Sequence, residues 1–232
     1  MKFDTPASTN PIDRLHVVGK PTPRIDGPLK TTGTATYAYE QDAQAPHAAY
    51  GYIVGAGIAR GRILDIDLRA ARQSPGVVGI VTAQDAGKLG IGGFYVAKAL
   101  AGPEVDHYHQ AVAIVVAETF EQARAAAGLV RVRYAPAKGN YDLAKAPPKP
   151  PGKQELQKED ALRTAVGDFA GAFAGAPVTL DAHYTTPDHS HAMMEPHATI
   201  ASWEGDQLTL WTAIQLVTWG TRDMGKILGI AP

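Results

Sequence analysis

Residues 110–117, QAVAIVVA, form a nearly continuous apolar run, as a strand covered on both faces would. Directly after it, Thr119 and Gln122 have the spacing of a capping box, and an alanine-rich segment runs from there to about Gly128, which predicts a helix. Residues 129–134 then alternate, with Val130, Val132 and Tyr134 on one face and Arg131 and Arg133 on the other, the period of a half-buried strand. Strand, helix and strand at this short spacing commit the chain to a mixed α and β architecture.

The rest of the chain extends that reading. Residues 49–54 and 63–68 read as strands, a short helix over 69–73 is ended by Pro75-Gly76, and residues 77–82 read as another strand,. Thr82 and Asp85 look like a capping box opening a further short helix. Beyond 160, residues 178–185 alternate as a strand, and residues 199–203 and 207–212 read as a hairpin around Gly205-Asp206,. Val217, Met224, Ile227 and Leu228 recur near helical spacing, and Gly229 closes that helix,. Proline punctuates residues 1–30 (Pro6, Pro11, Pro21, Pro23, Pro28) and again 147–151, predicting an extended arm and a linker. The expected organisation is an arm over 1–30, a domain over 31–145, a linker over 146–160 and a second domain over 161–232.

Composition removes several classes of function. With 22 Lys+Arg against 23 Asp+Glu and a net charge of −1, the chain lacks the charge of an electrostatic nucleic-acid binder or a polybasic membrane binder. No apolar run approaches the roughly 20 residues of a membrane span. The opening Met1-Lys2-Phe3-Asp4-Thr5-Pro6 has no apolar signal core, so no export signal of the chain's own is expected. The absence of cysteine excludes a disulfide framework, a cysteine nucleophile and an iron–sulfur cluster ligated by this chain.

Four features invite a chemical reading. Gly55, Gly57 and Gly61 follow a strand with G-x-G-x-x-x-G spacing, but the next residues alternate like a strand, so no helix N-terminus stands ready for a pyrophosphate. Gly90-Ile91-Gly92-Gly93 reads as a flexible loop without the lysine or hydroxyl of a P-loop,. His183, His189, His191, Glu195 and His197 lie within fifteen residues. As a strand, His189, His191 and Glu195 share a face, which leaves a zinc or iron site open beside polar groups lining a cavity or interface. Trp203, Trp211 and Trp219 read as core. From the residues alone, a stand-alone α/β binding module and a metal-binding module using the span from His183 to His197 both remain open.

In order and with sensible gaps, these segments resemble the molybdopterin-binding chain of the xanthine dehydrogenase/aldehyde oxidase family. Arg24, Asp26, Lys30, Thr32, Gly33, Ala35 and Tyr37 are similar to the family's R-x-D-x-x-x-K-x-T-G-x-A-x-Y opening. Pro75-Gly76-Val77 with Thr82 and Asp85, then residues 113–119, 123–127 and 130–134, resemble its α/β-hammerhead domain. Glu195-Pro196-His197-Ala198 with Trp203-Glu204-Gly205 and Leu210-Trp211 resemble the entry to the cofactor-binding part. Met1 to Asp4 and Asn10-Pro11-Ile12-Asp13 look closest to the periplasmic aldehyde oxidoreductase branch.

The resemblance implies an α+β fold, a hammerhead domain followed by the start of the mixed α/β molybdopterin-binding domain. It implies an oxidoreductase subunit that oxidises aldehydes to carboxylic acids, or hydroxylates heteroaromatics, with water as the oxygen source. The implied cofactor is molybdenum-molybdopterin in its cytosine dinucleotide form, completed by residues outside this chain. Electrons are expected to pass to 2Fe-2S and FAD partner subunits, and the arm is expected to lie on those partners. The compartment implied is the periplasm, by co-export with a partner, or the cytoplasm. Gln215 stands where the family places a glutamine that hydrogen-bonds the molybdenum's apical oxygen; read alone, it also fits a helix-start cap. Two departures stand out: Ile214 precedes the glutamine, and Leu228-Gly229-Ile230-Ala231-Pro232 is one residue longer than the family's L-G-[IV]-P. The family's glycine-rich G-G-G-F-G-x-K loop and its catalytic glutamate are not in these residues. The chain alone is therefore expected to be inactive, with no catalytic residue and no side-chain metal ligand of its own.

Overall fold

The alanines that mark the helix after residue 119 also decide how closely it packs. A computed structural model describes residues 15, 17–94, 97–145 and 166–232. Its elements are α1 (Gly27–Thr31), β1 (Tyr50–Gly55), β2 (Gly61–Asp67), α2 (Arg69–Arg72), β3 (Val77–Thr82), β4 (Glu104–Val105), β5 (Ala111–Ala117), α3 (Phe120–Ala127), β6 (Arg131–Pro136), α4 (Phe169–Gly175), β7 (Thr199–Glu204), β8 (Gln207–Thr212) and α5 (Val217–Leu228). The chain forms two compact units, Met1–Ala48 with Met193–Arg222, and Ala49–Ala192 with Asp223–Pro232. The expected linker over 146–160 lies outside the described residues.

In the larger unit β5 is the centre of an antiparallel sheet ordered β1-β5-β3. That central place explains its apolar run: Val112, Ala113, Val115 and Ala117 are fully buried. Helix α3 lies on this sheet, and its inward Ala123 and Ala126 are fully buried with Ala113 and Val115. Small alanine side chains on the helix face let it pack closely on the strand, where a larger residue would overpack the core,. The predicted capping box forms, Thr119 Oγ1 accepting from the Gln122 N–H at 3.2 Å and Gln122 Oε1 from the Thr119 N–H at 3.0 Å. Thr119→Ala should destabilise the protein by about 1 kcal/mol, read as a lower urea midpoint at unchanged slope.

The strand after α3 does not return to the sheet that precedes it. β6 instead pairs antiparallel with β2 in a second sheet, β4-β2-β6. Ala56, Ala101, Val105 and Val112 form a second buried cluster, with Tyr134 and Val132 packed against it. The G-x-G-x-x-x-G stretch is the connection between β1 and β2, as its alternation implies, and Gly61 opens β2 at φ +151°.

Two sequence expectations fail here. Asp85 makes the expected capping contacts, its Oδ2 accepting from Thr82 Oγ1 at 2.6 Å and from the Thr82 N–H at 2.9 Å. No helix follows, and the segment remains a turn, because Gly87 takes φ +67° and Gly90 follows closely, leaving too few helix formers to propagate one. Residues 178–185 alternate like a strand but have no ladder partner among the described residues, and Val178 and Leu180 are exposed. Helix α4 went unread; its signal is Asp168, whose Oδ1 accepts from the Gly171 N–H at 3.0 Å as an N-cap,.

The Thr82 hydroxyl, then the Thr82 N–H, hold the Asp85 carboxyl below its ordinary range. A carboxyl lowered on folding stabilises above its unfolded value and loses that contribution as pH falls through the folded one. Asp85→Asn should therefore flatten the fall in stability below about pH 4, checked by denaturant midpoints along an acid series.

The smaller unit holds α1, a 3-10 turn at Ala38–Glu40 and the hairpin β7-β8. The hairpin turns through Gly205-Asp206 with Glu204 opposite Gln207, and Gly205 supplies the positive φ of +60° that the first position of a II′ turn requires. Trp203 and Trp219 are about half exposed, at 54% and 48%, which corrects the expectation that they are core. Trp203 stands on a two-stranded hairpin, which has too little surface beside it to bury a large ring,. Within the expected arm, Arg24, Asp26 and Lys30 form an exposed ion triplet around α1, so the R-x-D-x-x-x-K spacing closes one helical turn. The Lys30 hydrogen bond lowers the Asp26 carboxyl.

Candidate functional site

Gln215 lies between the hairpin and α5, in the four-residue connection after Thr212. Both ends of that connection are held. Across the open end of the hairpin, the Thr199 and Thr212 hydroxyls hydrogen-bond at 2.8 Å. On the helix side, the Gly220 N–H donates to the Leu216 carbonyl at 2.9 Å, and Ile214 folds over Gly220. A Cβ on Gly220 would lie 2.3 Å from Ile214 Cδ1, so the glycine makes room for the isoleucine that departs from the family pattern. The isoleucine side chain thus rests against the first turn of α5.

On this braced connection Gln215 is exposed, and its side chain hydrogen-bonds no described residue. It therefore does not cap α5, the alternative the residue alone left open. Its amide offers two N–H donors and a carbonyl acceptor.

The histidines are placed differently. His183, His189, His191 and His197 all lie exposed on irregular chain, and among the described residues no three metal-binding side chains come together. Glu195 is half-buried and has a defined partner: its Oε1 accepts from the Ala38 N–H at 3.0 Å. It fixes the start of the Ala38–Glu40 turn, where Glu40 Oε2 accepts from the Tyr37 N–H at 2.7 Å. The sequence grouped Glu195 with His189 and His191 on one face, and nothing in the local pattern signals a contact 157 residues away. The glycines at 90–93, read as a flexible loop, are tied down by Asp223, whose carboxylate accepts from the Gly93 and Phe94 N–H groups at 2.7 and 2.9 Å.

Comparison with known proteins gives these positions a family. The family model for the aldehyde oxidase and xanthine dehydrogenase a/b hammerhead domain matches residues 33–138, and that for the molybdopterin cofactor-binding domain matches residues 153–232. The aldehyde oxidoreductase molybdenum-binding subunit PaoC of Escherichia coli strain K12 is 56% identical over 232 residues, covering 99% of this chain. The chain belongs to the xanthine dehydrogenase and aldehyde oxidase family. Within it, the xanthine dehydrogenase molybdenum-binding subunit of E. coli O157:H7 is only 29% identical, over 89% of this chain and 29% of its own length. That contrast puts the chain on the aldehyde oxidoreductase branch. It spans 31% of the length of the PaoC subunit. Quinoline 2-oxidoreductase of Pseudomonas putida 86 shares the fold over 89% of this chain and 28% of its own, at 23% identity and a TM-score of 0.69.

The family's two domains map onto what the residues build. The antiparallel sheets with α3 belong to the hammerhead domain, and the hairpin with α5 opens the molybdopterin-binding domain. No helix among the described residues is long and apolar enough to cross a membrane.

Proposed function

We propose that this chain works as part of a molybdenum hydroxylase that oxidises aldehydes to carboxylic acids with water as the oxygen source, and that Gln215 contacts its cofactor. The observation that carries the reading is the exposed amide of Gln215, bonded to no described residue and held on a braced connection inside the stretch matched by the molybdopterin-binding model. The residues present fit such a cofactor. A metal carried on an organic pterin needs polar contacts rather than a cage of side chains, and the Gln215 amide would donate to an oxygen of the bound group. When bound, molybdenum-molybdopterin supplies the activated oxygen and the two-electron sink of the reaction.

This chain's own share is orientation. Gln215 would donate to the bound cofactor, Ile214 and Gly220 brace the start of the following helix, and the Thr199–Thr212 bond keeps the hairpin end closed. The cytosine dinucleotide form of the pterin, and partner subunits holding 2Fe-2S and FAD, complete the proposal. The branch assignment supports aldehydes over purines as substrate. Exposed apolar side chains on the smaller unit, among them Val217, Trp203 and Trp219, support a role within a larger assembly.

The assembled enzyme from molybdate-grown cells should reduce an artificial electron acceptor with aromatic or aliphatic aldehydes, and much more slowly with hypoxanthine. Growth on tungstate should abolish that turnover. Equal activity from both preparations, or faster turnover of the purine, would contradict the proposal.

A further inference from the structure

Helix α5 ends in unusual company. Asp223, in its middle, is only 3% exposed. Its two carboxylate oxygens divide their work: Oδ1 accepts from the Gly93 N–H at 2.7 Å and Oδ2 from the Phe94 N–H at 2.9 Å. One turn further on, the Ile227 carbonyl accepts from the Gly90 N–H at 2.9 Å. A helix leaves its last carbonyls without intrahelical donors. Here the Gly225 carbonyl is met by the Ile230 N–H at 3.0 Å, around Gly229 at φ +70°, and the Ile227 carbonyl is met by the loop.

The loop's composition is explained by this contact. A Cβ on Gly90 would lie 2.1 Å from the Lys226 carbonyl oxygen, and one on Gly93 would lie 2.8 Å from Lys226 Nζ. At Gly90 backbone lies against helix with no space for a side chain, whereas at Gly93 the nearest obstacle is the tip of the Lys226 side chain. Gly90 therefore permits a close seat, and among the described residues the seat includes the Gly90, Gly93 and Phe94 N–H groups donating to a segment about 130 residues away. One segment lies in the stretch matched by the hammerhead model and the other in that matched by the molybdopterin-binding model.

We propose that Asp223 is a positioning residue: its buried carboxylate latches the 90–94 loop to α5, and the latch sustains turnover by fixing the helix that follows Gln215. The second half rests on the proposed contact between Gln215 and the cofactor; the first half does not. A carboxylate suits this task better than an amide, because both of its oxygens accept while both loop groups donate. Asparagine keeps one acceptor and turns an NH2 group toward a backbone N–H.

The test uses the assembled enzyme carrying Asp223→Ala, Asp223→Asn or Gly90→Ala. Backbone hydrogen exchange over residues 89–94 and steady-state kinetics are measured with molybdenum content. Asp223→Ala should speed exchange in the loop by about tenfold or more and lower kcat by roughly tenfold, with KM and molybdenum content little changed. Asp223→Asn should fall between it and the parent on both readouts. Gly90→Ala, which prises the loop off without touching the carboxylate, should reproduce the alanine variant. Unchanged exchange in Asp223→Ala overturns the latch, and faster exchange at unchanged kcat overturns its positioning role. If the parent enzyme itself holds no molybdenum, the functional proposal fails while the exchange readout still decides the latch.

Discussion

Replacing Gln215 with alanine in the assembled enzyme should slow aldehyde turnover by roughly one to two decades, with subunit assembly and thermal stability unchanged. The size follows from the bond removed: a hydrogen bond to a charged group is worth about 1–3 kcal/mol, and each 1.4 kcal/mol is about tenfold in rate. The absence of a stability effect follows from exposure. The side chain bonds no described residue, so truncation leaves no buried group unsatisfied. Glu195→Gln supplies the contrast, since glutamine retains an oxygen to accept from the Ala38 N–H and its kinetic effect should be small. Full activity in Gln215→Ala, together with lost turnover in Glu195→Gln, would move the cofactor contact to the histidine–glutamate segment.

Gly61→Ala should be the most destabilising small substitution in the larger unit, by about 2–5 kcal/mol. Gly61 sits at φ +151°, where L-residues are strained, and a Cβ there would lie 2.3 Å from the Ala135 carbonyl oxygen and 3.0 Å from Pro136 Cα. Both obstacles are backbone of the paired strand β6, so relief requires parting the β2-β6 ladder. Gly79→Ala is the matched control: Gly79 also lies in a strand, has no positive φ, and nothing stands within 4 Å of the added methyl. Calorimetry should show Gly61→Ala melting roughly 5–15 °C lower, with Gly79→Ala within a degree or two of the parent.

The contrast between those glycines also shows what the sequence can carry. Local rules found β5, α3, the hairpin and α5, because each element's signal lies within its own residues: an apolar run, a capping box, a Gly-Asp turn, a helical period closed by glycine. Gly61 looked like part of a phosphate-loop motif, and only its pairing with Pro136 explains it. The 90–93 glycines looked flexible because their partner, Asp223, lies 130 residues later. Thr82 and Asp85 signalled a helix start, and the capping contacts formed without one, since a cap does not propagate through Gly87 and Gly90. The tryptophans misled because hydrophobicity predicts burial only where enough structure surrounds the ring. At the candidate site, the family resemblance singled out Gln215, while the brace made by Ile214, Gly220 and Thr199 required coordinates.

The central claim is that Gln215 serves a molybdenum cofactor, and metal and pterin analysis of the purified assembled enzyme tests it most directly. One molybdenum per subunit, released on denaturation together with a pterin cytosine dinucleotide, is the predicted result. Stoichiometric zinc or iron on this subunit in place of molybdenum, lost when His189 and His191 are replaced, would contradict it.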